Sequence, residues 1–331
     1  MLYTAQPLQR IMSRKNLTIL FLMLAPVFGL QLVQAQEPVQ TSDANASALF
    51  HHSLKVRLDP ANQSITVEDT ITLSSSADPA QLQFSLNSNL SITNNPRNLQ
   101  KLASNRPSAI TGINEGASLA APVDQYSLRL RRRDGRQFSL VYSGIINDVA
   151  EQNSAEYAQS FSETNGIISK QGVYLAKASA WIPDFGNDFL SFDLQVEFAS
   201  NADSWTAVSQ GDRAGKNGWS SQQPMEEVYL IAADFTEYSQ QADDVEVLAY
   251  LRQPDPNLAA KYLDATERYL ALYEPLLGEY PYSKFALIEN FWETGYGMPS
   301  FTLLGEQVIR FPFILESSYP HEILHNWWGN S

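Results

Sequence analysis

Near the end of the chain stand two histidines four residues apart with a glutamate beside the first: His321-Glu322-Ile323-Leu324-His325. On a helix, residues at i and i+4 lie on one face a single turn apart, so both imidazoles can reach one ion. Neutral imidazole nitrogens suit zinc at roughly 2.0–2.1 Å. Glu322 is placed to take a proton from water as that water attacks a carbonyl. Zinc lowers the pKa of water that it binds to about 7, which makes hydroxide available at neutral pH. Pro320, just before the motif, suits the first turn of a helix. The chemistry indicated is hydrolysis assisted by one zinc ion, with His321 and His325 as ligands and Glu322 as general base. The competing reading is two exposed histidines on an ordinary helix. Two of the chain's four histidines fall in the motif. The other two, His51-His52, open the first strand and are expected to be an incidental exposed pair.

The elements that must position this motif change in kind along the chain. From about His51 to Asp234 the pattern is that of strands. Leu54-Lys55-Val56-Arg57-Leu58 alternates, Asp59-Pro60-Ala61-Asn62 turns, and Ile65 to Leu73 alternates again. Arg133-Asp134-Gly135-Arg136 reads as a hairpin turn between two further strands, and Arg131-Arg132-Arg133 as a solvated edge that discourages strand pairing. A further strand at residues 242–250 precedes a change of period. Asp255-Pro256 has the form of a helix start, with the carboxylate as N-cap and proline at the first helical position. Leu258, Tyr262, Ala265, Tyr269, Leu272, Tyr273 and Leu276 then recur at helical spacing, and Gly278 with Pro281 stops the helix. Phe285-Ala286-Leu287-Ile288 is a short apolar strand. The tyrosines between Tyr262 and Tyr280 are assigned to core packing rather than to a groove.

Composition limits what such a chain can do. Its 331 residues are 44% apolar and carry a formal charge of −14, enough for about two domains. Residues 1–35 hold Arg10, Arg14 and Lys15 and no acid, so their removal leaves 19 basic against 36 acidic residues, or −17. So negative a surface repels phosphate backbones, which argues against nucleic acid as a partner. The basic start, the apolar run at residues 17–33 and Val33-Gln34-Ala35 form the pattern of a signal peptide over 1–35. That run contains Pro26, Gly29 and Gln31 and is short for a spanning helix, so membrane contact is expected only if the segment stays uncleaved. The absence of cysteine excludes disulfides, thiolate ligands and a lipid anchor carried on cysteine. An exported, periplasmic or secreted bacterial protein is the expectation, with a flexible leader at 36–50.

His321-Glu322-Ile323-Leu324-His325-Asn326-Trp327-Trp328-Gly329-Asn330-Ser331 resembles the zinc helix of the membrane-alanyl-aminopeptidase family of gluzincin metallopeptidases. Tyr280-Pro281-Tyr282 followed by a strand and by Gly295-Tyr296-Gly297-Met298 is similar to that family's approach to its substrate-binding strand. Trp181-Ile182-Pro183 and Trp205-Thr206-Ala207-Val208 sit where its N-terminal β domain carries such residues. The resemblance implies an α+β multidomain chain. An N-terminal antiparallel β-sandwich or saddle domain (51–240) leads into the beginning of a thermolysin-like α/β catalytic domain (241–331). It implies a peptide substrate held along the backbone of Gly295, Tyr296, Gly297 and Met298 by strand addition. It also implies a third zinc ligand, a glutamate about eighteen residues beyond His325, and a catalytic tyrosine, both past Ser331. The chain as written is therefore expected to bind zinc weakly and to hydrolyse little.

One position departs from the family. Its exopeptidase strand usually reads Gly-Ala-Met-Glu-Asn, where the glutamate pairs with the substrate's free α-amine; here Pro299-Ser300 follows Met298. Glu289 and Glu293, close by in sequence, are the candidate substitutes. Three readings stay open: an aminopeptidase-like enzyme, an endopeptidase or other variant without the amine-binding glutamate, and a non-catalytic binding protein of the same fold.

Overall fold

Strict alternation along the strand Phe50–Asp59 sends Phe50, Leu54, Val56 and Leu58 into the core and every second residue outward. In the computed structural model this strand lies inside a seven-stranded sheet; the described residues are 47–328 apart from 95, 108–120, 149–150, 153–161 and 187. The expected signal segment and most of the expected leader lie outside them. Across the sheet the strands run Asp212–Arg213, Gly218–Met225, Leu190–Phe198, Phe50–Asp59, Ser64–Leu73, Gln137–Ile145 and Leu90–Ile92. The expected antiparallel arrangement fails at one place: Phe50–Asp59 pairs parallel with Leu190–Phe198. Strands so far apart in sequence can meet in either direction, because no tight turn constrains them.

Among the described residues, three smaller sheets accompany the seven-stranded one in the first region, one of them only the pair Glu151–Gln152 and Ser162–Glu163. Another holds Leu82–Asn87, Pro122–Leu128 and Leu99–Pro107; the third holds Gly166–Ile168, Val173–Leu175, Leu230–Ala233 and Thr206–Val208. The expected hairpin at Arg133-Asp134-Gly135-Arg136 is not one. A 3-10 turn at Arg132–Asp134 and a left-handed Gly135 (φ 73°) do reverse the chain, but the flanking strands belong to different sheets. Local alternation reports that a strand exists, not which neighbour it takes.

The second region is a five-stranded sheet in the order Thr236–Ala242, Val245–Leu251, Lys284–Asn290, Phe301–Gly305, Gly295–Met298. The expected boundary at 240 falls inside its first strand. Its three middle strands are parallel and both edge strands antiparallel. Helix α1 (Pro256–Leu277) makes the crossover between Val245–Leu251 and Lys284–Asn290. It starts as anticipated, with Asp255 accepting from the Leu258 amide at 2.9 Å and Pro256 in the first position. It ends at Gly278, whose φ of 101° a side chain would resist. Lys284–Asn290 is buried on both faces. Phe285 and Leu287 pack toward α1, while Ala286 and Ile288 join the core of the β region. Helix α2 (Ser318–Leu324) follows two 3-10 turns. Among the described residues the structure is mostly β-sheet with these two α-helices.

Candidate active site

The segment that carries the motif is held from behind by tyrosines of α1. Tyr262 donates to the Ile309 carbonyl at 2.8 Å, and Tyr269 donates to the Leu315 carbonyl at 2.8 Å. Tyr319 of α2 is buried edge-on against Tyr262, with ring centroids 4.7 Å apart, and shares a hydrogen bond with Thr266. Tyr319, Pro320 and Ile323 thus form the buried face of α2. The opposite face carries His321, Glu322 and His325. Trp327 continues the anchoring by donating to the Gly278 carbonyl at 3.1 Å. The tyrosines from Tyr262 to Tyr280 are packing and hydrogen-bonding residues, as assigned from the sequence.

The two histidines converge. Their Nε2 atoms stand 3.1 Å apart, with rings 4.5 Å between centroids and inclined at 80°. Two nitrogens held at about 2.0–2.1 Å from one ion at a tetrahedral angle stand about 3.3 Å apart. The pair therefore fits two ligands of a zinc ion with little adjustment. Among the described residues no group of three or more His, Cys, Asp or Glu side chains assembles a larger ligand set.

Glu322 is half-buried between α2 and the edge strand Gly295–Met298. A β-carbon built on Gly297 would lie 2.5 Å from Glu322 Oε2 and 3.3 Å from His325 Cδ2, so only glycine admits the carboxylate so close to the strand. Burial raises the Glu322 carboxyl above the ordinary carboxylate range, and His325 and His321 act in the opposite sense. Met298 is buried, Tyr296 and Gly297 are partly exposed, and Gly295 is open. Among the described residues the strand pairs within the sheet with Phe301–Gly305 alone. Its outer edge has no strand partner among the described residues and offers main-chain donors and acceptors to an extended peptide.

The carboxylates nearest in sequence are committed elsewhere. Glu289 is 1% exposed; Oε1 accepts from Arg310 at 2.7 Å and Oε2 from the Arg252 amide at 2.7 Å. Glu293 accepts from the Gln307 and Val308 amides. Both carboxylates are thus already engaged within the protein. The expected exposed pair His51-His52 is also corrected. His52 is fully buried, 2.8 Å from Asp69, because it falls in phase with Phe50 and Leu54 on the core side of the strand. Three residues that sequence reasoning assigned no positioning role, Lys284, Ser300 and Asn326, are buried directly behind the site. The available signals were a lysine opening an apolar strand and an asparagine following the second histidine.

No family model matches the sequence, and no curated protein does. Solved structures do. The M1 zinc metallopeptidase from Deinococcus radiodurans superposes with a TM-score of 0.54 at 14% identity, over 86% of this chain and 64% of that one. The chain has the fold of the M1 zinc metallopeptidases. Yeast LTA4 hydrolase matches with a TM-score of 0.54 at 12% identity, over 86% of this chain and 44% of that one. An aminopeptidase N family protein from Idiomarina loihiensis gives 0.51 at 12% identity, over 84% and 48%. The chain thus spans about two thirds or less of the length of these structures.

Proposed function

We propose that this protein is a zinc-dependent peptidase in which His321 and His325 hold the ion and Glu322 is the general base. One observation carries the reading: the two Nε2 atoms converge at 3.1 Å on the same helix that sets the Glu322 carboxylate against Gly297. Zinc, when bound, supplies Lewis acidity toward water and a peptide carbonyl. Glu322 receives the proton of the attacking water at a carboxylate oxygen and hands it to the departing amine. The Gly295–Met298 backbone aligns an extended peptide beside that carboxylate, so the scissile carbonyl is presented in register. The likeness to M1 zinc metallopeptidases supports the reading through the fold.

The test is Glu322→Gln in the native gene product. Zinc content should stay the same while kcat falls by about 10²–10⁴-fold. Unchanged turnover would remove Glu322 from the mechanism, and no turnover by either form would favour a non-catalytic binding protein.

A second reading within the same class is favoured by Pro299-Ser300 and by the engagement of Glu289 and Glu293. Without a carboxylate at that turn, the site has no evident anchor for a free α-amine. An aminoacyl substrate and its N-acetylated twin separate the two: equal kcat/KM for both excludes an amine-anchored aminopeptidase. Export rests on residues 1–35 alone, and N-terminal sequencing of the mature protein should begin at Gln36. No described helix is long and apolar enough to cross a membrane.

A further inference from the structure

The turn that follows the edge strand Gly295–Met298 holds a conformation that its residue type resists. Ser300 is fully buried with a φ of 64°, in the left-handed region. Such a conformation is unfavourable for a residue other than glycine and persists where the surroundings impose it. Two side chains impose it here. The Ser300 amide donates to Asn326 Oδ1 at 2.7 Å. Lys284 Nζ donates to the Ser300 carbonyl at 3.1 Å and to Ser300 Oγ at 2.8 Å.

Each partner also holds something else. Asn326 Nδ2 donates to the carbonyls of Ile323 at 3.0 Å and Glu322 at 3.3 Å, at the C-terminal end of α2. Lys284, 1% exposed, has its ammonium 4.9 Å from the Trp219 ring centroid and 5.5 Å from that of Phe301. Trp219 belongs to the seven-stranded sheet and is itself fixed, donating to the Ala207 carbonyl at 2.9 Å. A continuous buried path thus runs from the β region through Lys284, Ser300 and Asn326 to the helix turn bearing Glu322. Two residues before Ser300 along the strand is Met298, and one further is Gly297, against which the Glu322 carboxylate rests.

We infer that Lys284, Ser300 and Asn326 are positioning residues that lock the Gly295–Met298 strand to the C-terminal turn of α2, and so set where Glu322 stands relative to the bound peptide. The inference rests on the reading of Glu322 as general base. None of the three touches substrate. They act through the spacing between a strand and a helix, and misplacement of a reacting group by about 1 Å costs on the order of a hundredfold in rate.

The experiment compares Lys284→Met, Asn326→Leu and the double variant in the native gene product, below their melting temperatures. Each single change should lower kcat about tenfold or more, with KM and zinc affinity within about twofold of wild type. Because both side chains act on Ser300, the double variant should lose no more than the worse single one. Multiplying losses would show two independent structural defects and overturn the inference, as would unchanged kcat in either single variant. Amide exchange at Ser300 gives a readout apart from activity, and it should quicken in both single variants; unaltered exchange also overturns the inference. Should Lys284→Met fail to fold, Asn326→Asp keeps an acceptor for the Ser300 amide and loses the donor to α2. It should lose less kcat than Asn326→Leu, and equal loss would sink the proposal. Wild-type protein that neither takes up zinc nor turns over would count against the peptidase reading, while the exchange measurement would still judge the network.

Discussion

At the scale of single residues, the histidine pair and its glutamate were legible because helical spacing alone determines which side chains share a face. What spacing could not reveal is how near a second element comes. Gly297 is the clearest case. The family resemblance placed it on the substrate-binding strand but said nothing of its neighbour across space; in the folded chain it leaves the room that the Glu322 carboxylate occupies. Gly297→Ala should leave the fold intact, since the atom it meets ends a flexible side chain. It should lower kcat by about tenfold or more by displacing the carboxylate. Paired measurement of kcat and thermal melting tests this, and an active, well-folded Gly297→Ala protein would refute the placement. His321→Ala leaves a single imidazole on the helix, and equilibrium dialysis of the native gene product should show zinc affinity lowered by at least about tenfold.

At the scale of elements, the two ends of α1 were readable: its cap, its first proline and its stop are local features that do not depend on the partner. Its apolar stripe was only partly so, because Leu272 and Leu276, expected on it, are 53% and 74% exposed where the last turns run past the sheet's core. Asp255→Ala should cost about 1 kcal/mol of stability, read by denaturant unfolding, because the Leu258 amide loses its acceptor. The 3-10 turns before α2 escaped notice, as they have no periodicity and are held by bonds from α1. Tyr262→Phe should therefore destabilise by about 1–3 kcal/mol through the orphaned Ile309 carbonyl. In the same variant, amide exchange should rise across residues 308–324 more than in the strands of the first region. Pairing of strands was the least legible part. The parallel match of Phe50–Asp59 with Leu190–Phe198 and the separation of Pro122–Leu128 from Gln137–Ile145 are long-range choices.

At the scale of the whole molecule, Lys284 ties the β region to the second sheet and makes stability depend on pH. Burial lowers its pKa from 10.5 to about 7; Arg213 acts in the same sense, and Glu246 and Asp212 oppose it. The folded value lies below the unfolded one, so between them the unfolded chain binds the extra proton. Stability attributable to this lysine is lowest below pH about 7 and rises as pH increases toward about 10, by up to about 1.4 kcal/mol per pH unit. Lys284→Met should abolish that slope. Denaturant unfolding of both proteins across the window measures it, and parallel curves would show that the lysine stays protonated in the folded state, with no lowered pKa.

Much of this protein follows from local order in its sequence. A strand-rich first part, a capped helix and a helical turn presenting His321 and His325 together each depend on neighbours within a few positions, where spacing and residue type suffice. The tertiary structure alone decided which strands pair, that His52 is interior and paired with Asp69, and that Glu289 and Glu293 are already occupied. It also decided that a lysine, a serine and an asparagine 42 positions apart at their extremes meet behind the site. Those outcomes depend on burial and on contacts between distant segments. Only packing sets how far one side chain ends up from another when the chain between them is long.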